Sequence, residues 1–104
     1  MTAWRKACAV DEVTEELPLG VEIDGQKIGI FMKGSRCHAL ADVCTHAYGL
    51  LSSGWIVEEA VQCPLHGARF DLKTGRCVST PPHDPVRVYE VRVEGEDILV
   101  KLGE

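Results

Sequence analysis

Apolar residues occur along this chain in short runs, and in several runs they alternate with polar residues. Alternation with a period of two is typical of β-strands that bury one face. The runs that predict strands are residues 4–9, 21–23, 27–32, 36–40, 60–62, 69–71, 86–93 and 98–102. We therefore predict an all-β fold built from short antiparallel strands.

Turn residues separate the predicted strands. Asp24-Gly25 is a hairpin signal between the strands at 21–23 and 27–32, and further turns are predicted at 73–75 and 94–96. The only helix-like stretch, residues 11–17, is predicted to form at most one turn before Pro18. With 104 residues the chain is long enough for one modest core, so residues 1–104 are predicted to form a single domain.

The charge balance restricts the partners of the protein. A net charge of −5 argues against nucleic-acid binding, which needs a basic surface, and suits a small protein steered to a basic docking surface. We find no apolar stretch of signal-peptide or membrane-spanning length, so we expect a soluble protein without a membrane partner. Five cysteines, an odd number, favour the reducing cytoplasm.

Two short motifs carry the candidate chemistry. Cys44-Thr-His46 and Cys63-Pro-Leu-His66 are separated by sixteen residues, and each supplies one thiolate and one imidazole. This donor set suits a [2Fe–2S] cluster in which one iron takes both cysteines and the other both histidines. Zinc is the alternative, although a Cys-x-His pair is tighter than the usual zinc spacing. Without a metal, Cys44 and Cys63 would be small buried hydrophobic residues.

The two motifs resemble the Rieske signature, and the likeness covers most of the chain. Residues 63–71, followed by Thr74-Gly75 and Pro81-Pro82, are similar to the small Rieske ferredoxins of aromatic-ring-hydroxylating dioxygenase systems. The resemblance implies an antiparallel β-sandwich or barrel with a cluster-binding subdomain, residues 42–82 approximately, formed by two loops. It also implies one [2Fe–2S] cluster, with this set of ligands: Cys44, His46, Cys63 and His66.

The resemblance further implies a soluble one-electron carrier that is not itself an enzyme. Such a carrier passes electrons from an NAD(P)H-dependent flavoprotein ferredoxin reductase to a terminal oxygenase, and we expect it to be a monomer. Two alternatives stay open: a small Rieske-like subunit of an assimilatory NAD(P)H nitrite reductase, and a zinc-bound structural module. The chain is too short to hold the separate mononuclear-iron domain of an oxygenase.

Four residues near the ligands distinguish this chain from the respiratory Rieske proteins. The respiratory Rieske proteins join their loops by a disulfide, whereas Gly49 and Leu65 stand at the corresponding positions here. Those proteins also place a serine and a tyrosine beside the cluster, where this chain has Ala68 and Phe70. Hydrogen bonds to sulfur raise the potential, so we expect a value low in the range of about −150 to +300 mV.

Further residues are assigned secondary roles. Gly67 is expected to allow a close approach of the backbone, and Pro81 to stiffen its loop. The resemblance implies that this proline loop covers the cluster. Glu58 and Glu59, between the ligand loops, are candidates for a docking face near the cluster. His38 is predicted to be a surface or half-buried residue, and His83, in the proline loop, is a candidate for a position near the cluster. The other cysteines are predicted to be small buried hydrophobic residues, namely Cys8, Cys37 and Cys77. Trp4 and Trp55 are predicted to be packing residues rather than electron relays.

Overall fold

The computed structural model describes residues 3–44, 49–65 and 67–102, and within these ranges the fold is built from β-strands and two short 3-10 turns. The strands are β1 (Ala3–Ala9), β2 (Leu19–Ile23), β3 (Gln26–Lys33), β4 (Arg36–Ala41), β5 (Trp55–Val57), β6 (Ala60–Gln62), β7 (Arg69–Asp71), β8 (Val88–Tyr89), β9 (Val91–Glu94) and β10 (Asp97–Leu102). The 3-10 turns are Val10–Glu12 and Leu51–Ser53. The predicted all-β fold is confirmed.

The strands form three antiparallel sheets. The first has the order β1-β10-β9, the second β2-β3-β4-β8 and the third β5-β6-β7. The third sheet is inserted between β4 and β8, which are neighbours in the second sheet. The first predicted ligand motif follows β4, and the second lies between β6 and β7.

The predicted strand at 86–93 is wrong as a single element, because the chain changes sheets at Glu90. Tyr89 in β8 pairs with Ala39 in the second sheet, whereas β9 pairs with β10 in the first. The Glu90 carbonyl lies between these strands and accepts a hydrogen bond from the Lys101 N–H at 2.9 Å. Alternating polarity indicates which side chains face a core, but it does not indicate which sheet a strand joins.

One further element agrees with the prediction of at most one helical turn, and one strand was not predicted. The helix-like stretch at 11–17 contains only the turn Val10–Glu12, where the Glu12 carboxylate accepts a hydrogen bond from the Ala9 N–H at 2.8 Å. Strand β5 was not predicted, because it has three residues and its first side chain, Trp55, is 48% exposed. The prediction that Trp55 is a packing residue is wrong for the same reason.

The buried side chains form two hydrophobic cores. One lies mainly beneath the first and second sheets and includes Ile28, Ile30, Ile98 and Val100. The other, which we call the loop core, consists of Phe31, Leu40, Cys44, Leu51, Val61, Cys63, Ala68, Phe70, Leu72 and Val86. Ala41 packs against both cores, so the end of β4 links the sheets to the ligand loops.

Candidate metal centre

The first ligand loop is closed at its base by backbone hydrogen bonds. The Cys44 N–H donates to the Gly49 carbonyl at 2.9 Å, and Val43 and Leu50 form an antiparallel bridge. The segment that these contacts close, residues 45–48, contains the predicted ligand His46 and lies outside the described residues. The structure therefore fixes where this loop leaves and rejoins the fold.

The second ligand loop is a tight connection between β6 and β7. The Cys63 N–H donates to the Ala68 carbonyl at 2.7 Å, and the Gly67 N–H donates to the Cys63 carbonyl at 3.2 Å. Gly67 has a φ of +74°, a conformation that L side chains rarely adopt, and this explains the glycine. Among the described residues a Cβ there would meet only the Gln62 amide, at 3.7 Å. The expected close approach of the backbone to the cluster stays a prediction. The predicted ligand His66 lies outside the described residues.

The two loops meet at the Cys63 thiol. A Cβ built on Gly49, in the first loop, would come within 3.2 Å of Cys63 Sγ and 3.0 Å of the Leu65 side chain. Cys44 is 3% exposed and Cys63 is fully buried, and both belong to the loop core. The fold thus brings together the cysteines of two motifs that are separated in sequence.

This arrangement fits an iron–sulfur cluster. Two thiols from facing loops lie in one apolar core, and burying a thiolate is unfavourable unless a metal or another partner compensates its charge. In residues 3–44, 49–65 and 67–102, no three His, Cys, Asp or Glu side chains gather as a metal site. The described chain therefore contains the cysteine half of the predicted ligand set.

The residues expected to tune the cluster are apolar and buried. Ala68 is 3% exposed, Phe70 is fully buried, and both belong to the loop core with Cys63. Neither side chain has a hydroxyl that could donate to sulfur. Their positions are consistent with a low potential, which stays a prediction.

The proline loop lies beside the second ligand loop. The Arg69 N–H donates to Ser79 Oγ at 3.1 Å, and the Val78 N–H donates to the Arg69 carbonyl at 2.8 Å. Because Arg69 follows Ala68 directly, these bonds align the segment leading to Pro81 with the ligand loop. Pro81 is exposed and follows a cis peptide bond. Its role in covering the cluster stays a prediction.

Asp42, which the sequence analysis missed, anchors the first loop. It is 2% exposed and is the only buried charged or polar residue in the described part of the chain. Its carboxylate accepts hydrogen bonds from the Ser52 N–H at 2.7 Å and the Ser52 hydroxyl at 2.6 Å. The available signal was a single acid within the apolar stretch from Ala39 to Cys44, two positions before the first cysteine.

The acidic pair proposed for docking lies away from Cys63. Glu58 and Glu59 form the turn between β5 and β6, and the three residues of β6 separate this turn from Cys63. The four residue steps from Glu59 to Cys63, at about 3.3 Å each, span roughly 13 Å. The expectation that these acids lie beside the cluster is therefore wrong, because the hairpin directs its turn away from the ligand loop.

His38 is half-buried, as predicted, and lines a groove of about 390 Å³ formed by β4, β8, β9 and the turn at Lys73. Burial is the largest influence on the His38 side chain and lowers its pKa, and Arg36 and Lys73 also lower it. Glu59 and Asp71 act in the opposite direction without reversing the shift.

The remaining cysteines differ in environment. Cys8 is buried and Cys37 is half-buried, in agreement with the predicted packing role. Burial raises the pKa of both thiols, and the pKa of Cys37 reaches about 11. Cys77 is half-buried outside the named strands, where burial raises its pKa but hydrogen bonds with Ser79 and the His83 backbone outweigh that effect and lower it. Cys77 therefore differs from the predicted small hydrophobic residue, because its thiol is hydrogen-bonded and its pKa is lowered.

The amino-acid sequence matches a known family and several named proteins. A model of the Rieske [2Fe–2S] domain matches residues 3–90. The biphenyl dioxygenase ferredoxin subunit of Pseudomonas sp. (strain KKS102) is 42% identical over 96% of this chain and 93% of its own length. The anthranilate 1,2-dioxygenase ferredoxin subunit of Burkholderia cepacia is 36% identical, over 99% of this chain and 95% of its own length.

Solved structures show the same architecture. The ferredoxin of carbazole 1,9a-dioxygenase from Nocardioides aromaticivorans IC177 superposes with a TM-score of 0.87 at 32% identity, over 94% of this chain and 96% of that one. A chain from a complex of reduced oxygenase and oxidized ferredoxin in carbazole 1,9a-dioxygenase gives 0.85 at 31% identity, over 93% and 91%. A protein described as an NADH-dependent nitrite reductase small subunit, from Mycobacterium tuberculosis, gives 0.89 at 27% identity, over 100% and 98%.

Across the parts of the chain that the structure describes, no helix is long and apolar enough to cross a membrane.

Proposed function

The chain belongs to the Rieske [2Fe–2S] domain family, and from this membership we propose that it is the electron-carrying ferredoxin of an aromatic-ring dioxygenase system. Its cofactor is a single [2Fe–2S] cluster, which supplies one-electron redox chemistry when bound. The named relatives are ferredoxin subunits of dioxygenase systems, so the protein is an electron-transfer component rather than an enzyme. In this proposal residues 1–104 form one Rieske domain.

We assign the cluster ligands to Cys44, His46, Cys63 and His66. The observation that carries this assignment is the close packing of the first loop on the second, where a Cβ built on Gly49 would come within 3.2 Å of Cys63 Sγ, with Cys44 buried in the same core. The loop core excludes water from the two thiolates, and this protects the cluster because water at the sulfurs favours its hydrolysis. Backbone hydrogen bonds at Cys44 and Cys63 fix the backbone from which both thiols project.

The terminal oxygenase of such a system is the acceptor partner, and an NAD(P)H-dependent flavoprotein ferredoxin reductase is the donor. Support for the acceptor comes from the similarity to a ferredoxin solved together with its oxygenase. Three exposed apolar side chains flank the ligand cysteines: Val43 at 39%, Leu50 at 37% and Leu65 at 55% exposure. An apolar rim of this kind suits brief docking, because a partner that binds it forms few charged contacts that must be broken when the two proteins separate.

The test is reconstitution of the electron chain. The ferredoxin, a flavoprotein reductase, NADH and a terminal aromatic-ring dioxygenase are mixed, and product formation is followed with the ferredoxin present or omitted. The proposal predicts turnover that depends on the ferredoxin and disappears in Cys63→Ser. Reduction of the protein without delivery to any dioxygenase, together with support of nitrite reduction by a nitrite reductase large subunit, would instead establish the nitrite reductase subunit as its function. The 27% identical neighbour makes that the second candidate.

A further inference from the structure

We propose that Asp42 is the positioning residue of the first ligand loop, and that its buried negative charge lowers the reduction potential of the cluster. The inference rests on the proposed cluster site and adds a residue that the Rieske motifs do not contain. It follows from the contacts of Asp42, its burial and its distance along the chain from Cys44.

Asp42 holds both ends of the first loop through its backbone and its side chain. Its N–H donates to the Lys27 carbonyl at 2.9 Å, and its carbonyl accepts from the Leu51 N–H at 2.7 Å. Its two carboxylate oxygens accept from the N–H and the hydroxyl of Ser52. The strand that enters the loop and the turn that leaves it are therefore joined at one residue.

Two glycines make room for the carboxylate. A Cβ on Gly20 in β2 would lie 2.8 Å from Asp42 Oδ2 and 2.7 Å from Ser52 Oγ. A Cβ on Gly29 in β3 would lie 2.8 Å from Asp42 Oδ1. Because glycine has no side chain, the second sheet packs directly on the Asp42–Ser52 pair. This contact fixes the position of the first ligand loop relative to the sheet.

The charge of Asp42 has no cationic partner in the described part of the chain. The ion pairs found there are all made by other carboxylates: Asp24, Asp97, Glu22, Glu15, Glu94 and Glu90. Burial of an uncompensated charge is unfavourable, and an asparagine could accept the same bond from the Ser52 N–H without that cost. A carboxylate at this position therefore has an electrostatic consequence that an amide would lack.

That consequence falls on the cluster, because Asp42 precedes Cys44 by two residues. The Cα atoms of residues two apart are separated by at most about 7 Å, the span of two extended residues. A fixed negative charge at such a distance disfavours the addition of an electron. With an effective dielectric constant of about 20, the effect on the redox equilibrium is roughly three- to tenfold after allowance for solvent.

The experiment compares three variants of the full-length, cluster-loaded protein. Asp42→Asn removes the charge and keeps an acceptor for the Ser52 N–H. Ser52→Ala keeps the charge and removes the hydroxyl donor. Glu96→Gln removes a charge from the exposed turn between β9 and β10 and serves as the control. The readouts are iron and sulfide content, the midpoint potential from a redox titration, and the rate of iron release to a chelator.

For Asp42→Asn we expect the ratio of reduced to oxidised protein at a fixed ambient potential to rise about three- to tenfold. For Ser52→Ala we expect less than a twofold change in that ratio but at least a threefold faster iron release. Glu96→Gln should match the wild type in both readouts. A purely structural role for Asp42 would not move the potential of correctly loaded protein.

The inference is overturned if loaded Asp42→Asn has the potential of Glu96→Gln, or if Ser52→Ala releases iron at the wild-type rate. If Asp42→Asn does not fold, the release rate of Ser52→Ala decides the positioning role. Failure of the wild type to hold two irons would instead refute the proposed function, so the two failures are distinguishable.

Discussion

Leu65 lies against the backbone of Gly49, so that a Cβ on the glycine would come within 3.0 Å of Leu65 Cγ and Cδ1. These are the positions at which the respiratory Rieske proteins are expected to carry their bridging cysteines. In this chain an apolar contact, rather than a disulfide, joins the two ligand loops. The contact is partly open to solvent, because Leu65 is 55% exposed.

Truncating Leu65 should loosen the loops without unfolding the protein. For Leu65→Ala we expect a loss of about 1 kcal/mol or less in the free energy of unfolding, since the side chain is half-exposed. Iron release to a chelator should accelerate several-fold. Leu17→Ala, at a leucine that is 70% exposed, is the matched control and should leave the release rate unchanged. Equal release rates for the two variants would show that this contact does not protect the cluster.

Restoring a hydroxyl beside the cluster should raise its potential. In Ala68→Ser, a new donor to sulfur would stabilise the reduced state by about 1–2 kcal/mol, roughly a tenfold change in the redox equilibrium or 60 mV. Phe70→Tyr should act in the same direction. Ala39→Ser places a serine at a buried alanine of the other core and is the control. A fall in potential, or equal values for Ala68→Ser and Ala39→Ser, would contradict the argument from Ala68 and Phe70.

How far the sequence alone predicts this centre depends on which contacts are local. The ligand motifs were identified because metal binding demands particular donors at particular spacings. Asp42 was missed because its partner Ser52 is ten residues away and the glycines that accommodate it belong to other strands. Its burial is a tertiary property, and an isolated acid in a sequence is more often exposed.

In the strands, too, the local pattern was predicted from the sequence, whereas the tertiary neighbours were not. Residues 98–102 alternate in burial along a strand as their pattern predicts, with Ile98, Val100 and Leu102 buried. The transfer between sheets at Glu90 and the exposure of Trp55 depend on which neighbour each strand meets. Those neighbours are determined by the whole fold, so local alternation carries no information about them.

His38 should make the protein less stable in mild acid. Its pKa is lowered in the folded state. Below the ordinary value of about 6.5 the unfolded chain therefore binds more protons than the folded one, and the free energy of unfolding decreases as the pH decreases. The effect should be roughly a few tenths of a kcal/mol, because the ring is half-exposed. Urea unfolding at pH 7.5 and 5.5 measures it, and His38→Gln should show a smaller loss between these pH values. An equal or larger loss in the variant would exclude His38 as a source of the acid sensitivity.

Alkylation should discriminate among the three cysteines outside the ligand motifs. Cys77 has a lowered pKa, whereas Cys37, with a pKa of about 11, holds only about one thiolate in a thousand at pH 8. Iodoacetamide at pH 8 should therefore modify Cys77 at least tenfold faster than Cys37 or Cys8, as followed by peptide mass spectrometry. Cys77→Ser should abolish the fast phase. Modification of Cys37 as fast as Cys77 would contradict the environments described for these thiols.

The EPR spectrum of the dithionite-reduced protein, with iron and acid-labile sulfide assayed on the same sample, decides whether this chain holds a histidine-ligated cluster. We expect two irons and two sulfides per chain and a rhombic signal whose average g value lies below that of all-cysteine clusters. The signal should be lost in Cys44→Ser and Cys63→Ser. One zinc per chain and no EPR signal, persisting after anaerobic reconstitution with iron and sulfide, would exclude the cluster and establish a zinc-bound structural module instead.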